Sequence, residues 1–591
     1  MSAKPAFEIG LTLAGAVSAG AYTAGVIDFL IEALDAWEAA KARNRQTPGA
    51  APLCPPHDVS LRVMSGASAG SIVAAILAAN IDRHWQPVRA ANAVDPQPRN
   101  PLFDSWVNQV DILPLLGDND LQNDPAPLSL LDATALDRIA ERALSFDGPR
   151  LTRRYVANPL RALFTLTNLT GVPFRYDLRG NTGHGQDLSR HADLMRFAVL
   201  NAGTAAAPAI RAAPDARYEY PLHPVPQARW SDPAWQRFAL TSLASGAFPV
   251  GLRPRAVDRN KSDYTDIHLP IQNADGAPVA ISPSWPAQPD EQYRFLSVDG
   301  GCLNNEPLQL ARVELSGSAL ARNERDGLKA NRAILMIDPF VGPNNPGPSS
   351  VEQNPLHLAV FKLLAAYVQQ SRFSAEDIEL ANRADVYSRF MIAPKRPVPP
   401  LLQASYPEAE GQWIASGALG GFGGFLHREF RKHDFLLGRH NCQQFLATRF
   451  TLPAGNDLFA DWRDNAALRG RYRVPGKAGE PEQLPIIPLV GSLHPRHGTE
   501  EALPHWPEGA CDVAALAAPI AARADALFRK YAAGEGFFAN PLAGLLWRTA
   551  GKPALMTKIN EAISNALVAQ GLLQPPPPKA GDAGADIAGG E

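Results

Sequence analysis

The sequence predicts an α/β fold built around a mostly parallel central sheet, and three observations carry that expectation. The first is Phe7 to Leu13, a short run that reads as a buried strand. The second is the helix after it, whose Val26, Leu30 and Leu34 recur at i, i+4 and i+8 with Trp37 near the same face. The third is a repeat of the same alternation: Val59 to Met64 reads as a strand and leads into the apolar helical stretch Ile72 to Leu77. Strand, helix, strand, helix in this order implies parallel pairing, because each helix carries the chain back to start the next strand.

Between the second strand and its helix lies Gly66-Ala67-Ser68-Ala69-Gly70. A Gly-x-Ser-x-Gly turn in that position has the form of a nucleophile elbow. The turn is so tight that the positions two before and two after the serine can carry almost no side chain. It lifts the hydroxyl out of the sheet and leaves the next backbone N–H facing a developing oxyanion. The pattern points to acyl transfer through a serine ester. Small-residue strings also occur where a helix packs closely on a strand, so the reading needs partner residues.

The later elements follow in order. Residues 86 to 130 are rich in Pro, Asn and Asp and read as an irregular insertion. Leu136 to Leu144 and Trp235 to Ser245 read as helices, and Leu160 to Leu166 as a strand. From Phe197 the pattern is mixed, and 255 to 292 reads as loop. Arg294 to Val298 and Ala333 to Ile337 are further strands. Leu356 to Ala381 reads as a long helix, 475 to 510 as Pro-rich loop, and 512 to 531 and 554 to 570 as two last helices. The expected organisation is a catalytic α/β domain over 5–345, a mainly helical C-terminal region over 346–573, and a tail over 574–591 too poor in apolar residues to fold.

Composition excludes several classes. The chain has 591 residues, 46% of them hydrophobic and 19% charged, as in ordinary globular proteins. With 56 basic against 59 acidic residues it carries no broad footprint for nucleic acid. Cys54, Cys302, Cys442 and Cys511 lie far apart with no Cys-x-x-Cys pair, which fits a reducing compartment and neither a zinc site nor a disulfide framework. His494 and His497 sit in a Pro/Gly-rich stretch without nearby ligands. No metal or cofactor is therefore expected. No stretch reaches the ~18 to 20 apolar residues of a membrane helix. The apolar N-terminal run Gly10 to Gly25 has only Lys4 ahead of it and is interrupted by Ser18, Tyr22 and Thr23, so it reads as mature structure rather than a signal peptide. The oligomeric state is open. The expected location is the cytoplasm or the periphery of a membrane, with export lacking a cleaved signal left open.

A nucleophilic serine needs a base, and the candidate is Asp299 in Ser297-Val298-Asp299-Gly300-Gly301-Cys302-Leu303-Asn304-Asn305-Glu306-Pro307. It ends a strand and enters a loop whose Gly300 and Gly301 permit close backbone approach, the usual address of functional groups in open α/β sheets. The bland alternative is a plain Asp-Gly turn. Backbone N–H groups of the loop Gly15 to Gly20 lie at the positive end of the following helix. Those of Gly15, Ala16 and Val17, together with Ala69, are the candidate oxyanion hole. A Rossmann-type phosphate loop is the other reading, but Val17 stands where Gly-x-Gly-x-x-Gly needs its middle glycine.

These pieces, in this order, resemble the patatin-like phospholipase family. The resemblance rests on 66–70, on Asp-Gly-Gly with Asn-Asn-x-Pro over 299–307, and on the strand, loop and helix of 9–30, and it covers roughly 5–340. It implies a three-layer core and a Ser-Asp dyad without histidine, with Ser68 the nucleophile, Asp299 the general base and lipid esters at a membrane surface the substrate. Two departures stand out. The family's first loop usually reads Gly-Gly-Gly-x-Arg/Lys-Gly, whereas here Gly15-Ala16-Val17-Ser18-Ala19-Gly20 lacks the basic residue and carries a β-branched Val17 that resists φ > 0. Two other readings compete: an α/β-hydrolase with a Ser-Asp-His triad using a late histidine such as His433 or His494, and a lipid-binding scaffold that no longer catalyses. The Gly-Phe and basic-aromatic segment Gly420 to Arg439 reads either as an interfacial lid or as a helix docking its aromatics on the core while its Arg and Lys face water.

Overall fold

The computed structural model describes residues 6–47, 49, 51–93, 99–123, 127–176, 185–203, 219–225, 229–265, 267–285, 291–340, 366, 372, 380, 383, 385–406, 410–474, 481–496, 498–534 and 547–575. The first half runs β1 (Phe7–Leu13), α1 (Gly20–Gln46), β2 (Val59–Gly66), α2 (Ala69–Asn80), α3 (Thr134–Leu144), β3 (Val156–Tyr176), β4 (Gln186–Val199), β5 (Glu219–Leu222) and α4 (Pro233–Ser245). The rest runs β6 (Arg255–Asn260), β7 (Ile267–Gln272), β8 (Pro278–Ile281), β9 (Gln292–Val298), α5 (Leu308–Ser316), β10 (Arg332–Ile337), β11 (Arg389–Ile392), α6 (Arg428–Thr448), α7 (Val513–Gly534) and α8 (Lys552–Ala569).

The sheet order is β11-β10-β1-β2-β3-β4-β5, with β9 on β3 and β6 on β9. The first four neighbours pair in parallel, as does β4 with β5, while β3 pairs antiparallel with both β4 and β9. Every residue of β1 and β2 is buried, the mark of parallel strands covered on both faces. Period-2 alternation divides their side chains. Val63, Leu163, Ile334 and Met336 meet Leu308, Ala311 and Leu315 of α5 on one face. Ile9, Leu11 and Leu13 join the larger core with α1 and α2 on the other. The expected α/β class with helices on both sides of a mostly parallel sheet is what is observed.

The register sets up the site. Leu13 lies beside Gly66, so the loop after β1 and the turn after β2 leave the sheet at the same edge. On β3, Phe164 faces Gly66 and Thr167 faces Val298, three residues apart, or about 10 Å at the rise of a strand. The end of β9 is thereby delivered next to the turn after β2.

The expected strand at Leu160 to Leu166 is longer in the structure, β4 lies mostly in a stretch given no assignment, and β6 to β8 occupy the stretch read as loop. β4 and β6 carry charged and polar residues on their outer faces and form by antiparallel pairing with β3 and β9, a partnership no local window reveals. Apart from 366, 372 and 380, the helix expected over 356–381 lies outside the described residues, as does the tail from 576 onward.

The C-terminal region is joined to the core. β11 extends the sheet in parallel beside β10. α6 lies against α1 through two glycines, where a Cβ on Gly25 would come within 1.9 Å of the Phe435 carbonyl oxygen and one on Gly438 within 2.2 Å of that of Tyr22. The helix-docking reading of 420–439 holds for its aromatics, since Phe430 and Phe435 are buried, but Arg431 and Arg439 are buried as well instead of facing water. Among the described residues one helical stretch, Val17–Gln46, is long and apolar enough by length and composition to cross a membrane, and 89% of its apolar window is packed inside the protein, as in the core helix of a globular protein.

Candidate active site

Ser68 stands between β2 and α2 with φ 50° and ψ −127°. A serine in this left-handed region costs about 1–3 kcal/mol, so the surroundings must enforce it. They do so in two ways. A Cβ on Gly70 would lie 2.1 Å from the Leu13 carbonyl oxygen, so only glycine lets α2 start against the end of β1. The Ser68 N–H donates to Ser245 Oγ at 3.0 Å, and that oxygen also shares a 2.7 Å hydrogen bond with Ser71 Oγ.

Ser245 is the last residue of α4, a helix started by Pro233 and capped by Asp232, whose side chain accepts from the N–H groups of Ala234 and Trp235. Ser245 is fully buried and nothing in the bare sequence singles it out. Removing its oxygen leaves the strained Ser68 N–H without its acceptor, which costs about 1–3 kcal/mol. Ser245→Ala is expected to lower the denaturation midpoint accordingly. An unchanged midpoint would contradict this account of the elbow.

Asp299 follows β9 and is held at every polar atom. Its N–H donates to the Ala247 carbonyl at 2.9 Å, and its own carbonyl accepts from Thr167 Oγ1 at 2.8 Å. Carboxylate Oδ1 accepts the Gly301 N–H at 2.7 Å, and Oδ2 accepts the Ser68 hydroxyl at 2.5 Å. Three residues, Ser245 to Ala247, thus hold the backbones of both Ser68 and Asp299. Burial pushes the Asp299 carboxyl up to about 6, against the hydrogen bonds from Ser68 and Gly301, which lower it. The two expected residues, 231 positions apart, are brought together.

In the loop after β1 the expected donors differ in whether their N–H groups are already paired. Among the described residues the N–H groups of Ala16, Val17 and Ala69 have no hydrogen-bond acceptor, next to a serine that is 5% exposed. Gly15 differs, because its N–H donates to the Asn305 carbonyl at 3.2 Å and is not free to receive an oxyanion. Its contribution is space, since a Cβ there would meet Asn305 Oδ1 at 2.2 Å and Ser68 Cβ at 3.0 Å. Asn305 fixes Gly15 from both sides, its Nδ2 donating to the Gly15 carbonyl at 3.4 Å and to Glu306 Oε1 at 2.7 Å. Glu306 is held in turn by Arg372 at 2.7 Å. Gly20 starts α1, where a Cβ would strike Trp106, and Gly66, Gly300 and Gly301 likewise lie against neighbouring groups. Val17 adopts φ 47° despite its β-branch. The conflict seen in the sequence is real, and the backbone carries it as strain of about 1–2 kcal/mol.

Ser68 lines a narrow apolar cavity of about 60 Å³. Ile72 and Ile76 of α2, Ile139 of α3, Leu243 of α4, Phe248 and Phe425 are among its walls. The late histidines expected of a triad do not serve Ser68. Both ring nitrogens of His433 are occupied, Nδ1 by Asp434 Oδ1 at 2.7 Å and Nε2 by the Arg396 guanidinium. His494 Nδ1 accepts the Arg496 N–H at 3.1 Å.

A family model, patatin-like phospholipase, matches residues 11–312, just over half of the chain. The chain belongs to the patatin-like phospholipase family. It is 37% identical over 536 residues to "Uncharacterized protein y4iI" of Sinorhizobium fredii (strain NBRC 101917 / NGR234), covering 85% of this chain and 73% of that one. The solved structure of VipD from Legionella pneumophila overlaps 62% of this chain and 54% of its own at 14% identity, with a TM-score of 0.20. The patatin-like match ends before β10, β11 and α6; β10 pairs with β1 and α6 packs on α1 of the matched core, while β11 extends the sheet beyond β10.

Proposed function

We propose that this patatin-like protein is a serine lipid acyl hydrolase that cleaves carboxylic esters of glycerophospholipids or lysophospholipids. The observation that carries the reading is the 2.5 Å hydrogen bond from Ser68 Oγ to Asp299 Oδ2 at the wall of an apolar cavity. Membership of the family supports a lipid substrate, and the apolar lining of the cavity suits an acyl chain.

In the proposed reaction Ser68 Oγ attacks the acyl carbonyl while Asp299 takes its proton. The tetrahedral oxyanion is received by the N–H groups of Ala16, Val17 and Ala69. Collapse breaks the ester bond, and the leaving alkoxide takes the proton from Asp299. Water, deprotonated by Asp299, then attacks the acyl-enzyme; the ester bond to Ser68 Oγ breaks, the fatty acid is released, and Ser68 Oγ takes back the proton from Asp299. An aspartate raised by burial is a stronger base than one in water, and the same burial sets its working range. Activity is expected to climb through an apparent pKa near 6 as Asp299 loses its proton.

A fluorophosphonate probe tests the nucleophile. Wild-type protein should be labelled and Ser68→Ala should not, and phospholipid vesicles should yield fatty acid by mass spectrometry with kcat/KM rising from pH 5 to 7. Labelling that persists in Ser68→Ala sinks the assignment. Vesicle binding without labelling or turnover would make the protein a lipid-binding scaffold instead.

A further inference from the structure

The loop that carries the candidate oxyanion donors contains a strained valine, so its neighbours must hold it. The described contacts point to the C-terminal region. Ser18, fully buried and adjacent to Val17, donates its hydroxyl to the Gly421 carbonyl and accepts the Gly424 N–H at 2.9 Å. The segment that reaches it is built for close approach. Leu419, Gly420 and Gly421 turn through three consecutive left-handed conformations, φ 55°, 64° and 97°, a path open chiefly to glycine. At Gly424 a Cβ would sit 2.6 Å from Ser18 Oγ and 2.5 Å from Ser416 Oγ.

The segment is itself staked down. Arg431, in the first turn of α6 and fully buried, donates to the carbonyls of Gly424 at 2.6 Å and Phe425 at 3.3 Å. It also reaches Asp111 Oδ2 at 3.1 Å and the Val107 carbonyl at 3.2 Å. Phe422 then stacks edge-on against Phe248 at 5.1 Å, and Phe425 joins Val17 in the wall of the cavity. The Gly-Phe run that looked like either a lid or a docked helix thus contains a fixed clasp on the loop beside Ser68.

We propose that residues 419–426 are a working part of the site: through Ser18 they hold Ala16 and Val17 in the geometry that receives the oxyanion. This rests on the hydrolase reading above. Ser18 is a positioning residue, 406 positions from Gly424 in sequence, and the patatin-like core is complete only with its C-terminal region attached. Loosening the clasp should weaken what happens in the transition state and leave lipid binding alone.

The test uses full-length protein and two variants that attack the clasp from opposite sides, Ser18→Ala and Gly424→Ala, each checked for folding by its thermal transition. Displacing a catalytic group by about 1 Å costs about 10²-fold in rate, so kcat should fall about 10²-fold while KM stays within about twofold. A trifluoromethyl ketone with an acyl chain, which forms a tetrahedral adduct on serine, should lose affinity by the factor lost in kcat/KM. A non-hydrolysable ether phospholipid should bind as before. Unchanged kcat and ketone affinity in either folded variant overturns the inference, as does a parallel loss of ether-lipid binding. Wild-type protein that neither labels with fluorophosphonate nor turns over esters overturns the hydrolase reading, and the inference with it.

Discussion

Replacing Asp299 by asparagine is expected to abolish ester turnover, a loss of about 10⁴-fold in kcat, while making the folded protein more stable at neutral pH. The first half follows from geometry. Asp299 Oδ2 is the acceptor for the Ser68 hydroxyl, and an amide cannot take up its proton. The second half follows from linkage. The carboxyl titrates at about 6 in the fold, against 3.8 for the free group, because burial disfavours its charged form. Between those values the folded state holds a proton that the unfolded chain has released. Stability therefore falls as pH rises through this window, and the full deficit is present above about 6. At 1.36 kcal/mol per pH unit the deficit is about 3 kcal/mol. Asparagine keeps an acceptor for the Gly301 N–H and removes the charge. Unfolding midpoints of the two proteins should thus differ most at pH 8, the variant being higher, and converge toward pH 4. A variant less stable than wild type at pH 8 would show that the buried charge is better compensated than its surroundings indicate.

What could be read in the sequence was what is encoded locally. β1 begins and ends where Phe7 to Leu13 placed it, because Phe7, Ile9, Leu11 and Leu13 recur at the period of a strand and small residues bound the run. Ser68 was legible from its flanking glycines, and Asp299 from the glycine loop after a strand. The members of the site that escaped are those joined to it only by tertiary packing. Ser245 reaches Ser68 across 177 positions and Ser18 reaches Gly421 across 403, and a serine carries no mark of where its hydroxyl will be used. Gly15 was placed correctly in the loop but given the wrong task, since only the fold shows its N–H paired with Asn305. β6 escaped for a related reason. Arg255, Asp258 and Arg259 look like a solvated loop until β9 supplies the other half of the ladder.

Arg439→Met should produce the largest structural loss, because it would free the C-terminal region from the core that it completes. Arg439 lies on α6 with no exposed surface and pairs with three carboxylates, Asp28 and Glu32 of α1 and Glu501, the last two at 2.6 and 2.8 Å. Asp28 is fully buried and also receives hydrogen bonds from Trp85 Nε1, the Val88 N–H and Asn100 Nδ2. Even so, burial raises its carboxyl above the ordinary range, with Arg439 the chief influence pulling it back. Methionine preserves the length of the side chain and removes the cation, so Asp28 is left charged and uncompensated. Breaking a buried pair in this way costs about 3–5 kcal/mol. Arg89, 45% exposed, pairs with Glu32 and Glu501 and among the described residues has no ion pair with Asp28, so it screens that carboxylate little. The loss should be greatest at neutral pH and shrink toward pH 5, because without its cation Asp28 gains a proton more readily in the fold than in the unfolded chain. Amide exchange along α6 is the fitting measure, since a chain of this size opens in parts. Exchange in α6 should accelerate by about two to three orders of magnitude at pH 7, as 1.4 kcal/mol is tenfold. Protection that is unchanged, or lost equally at pH 5 and pH 7, would mean that the glycine contacts at Gly25 and Gly438 hold α6 without the ion pairs. Because α6 also carries Arg431, its release would slacken the hold on Gly424 and thereby on Ser18, coupling a salt bridge beside Asp28 to the loop that faces Ser68.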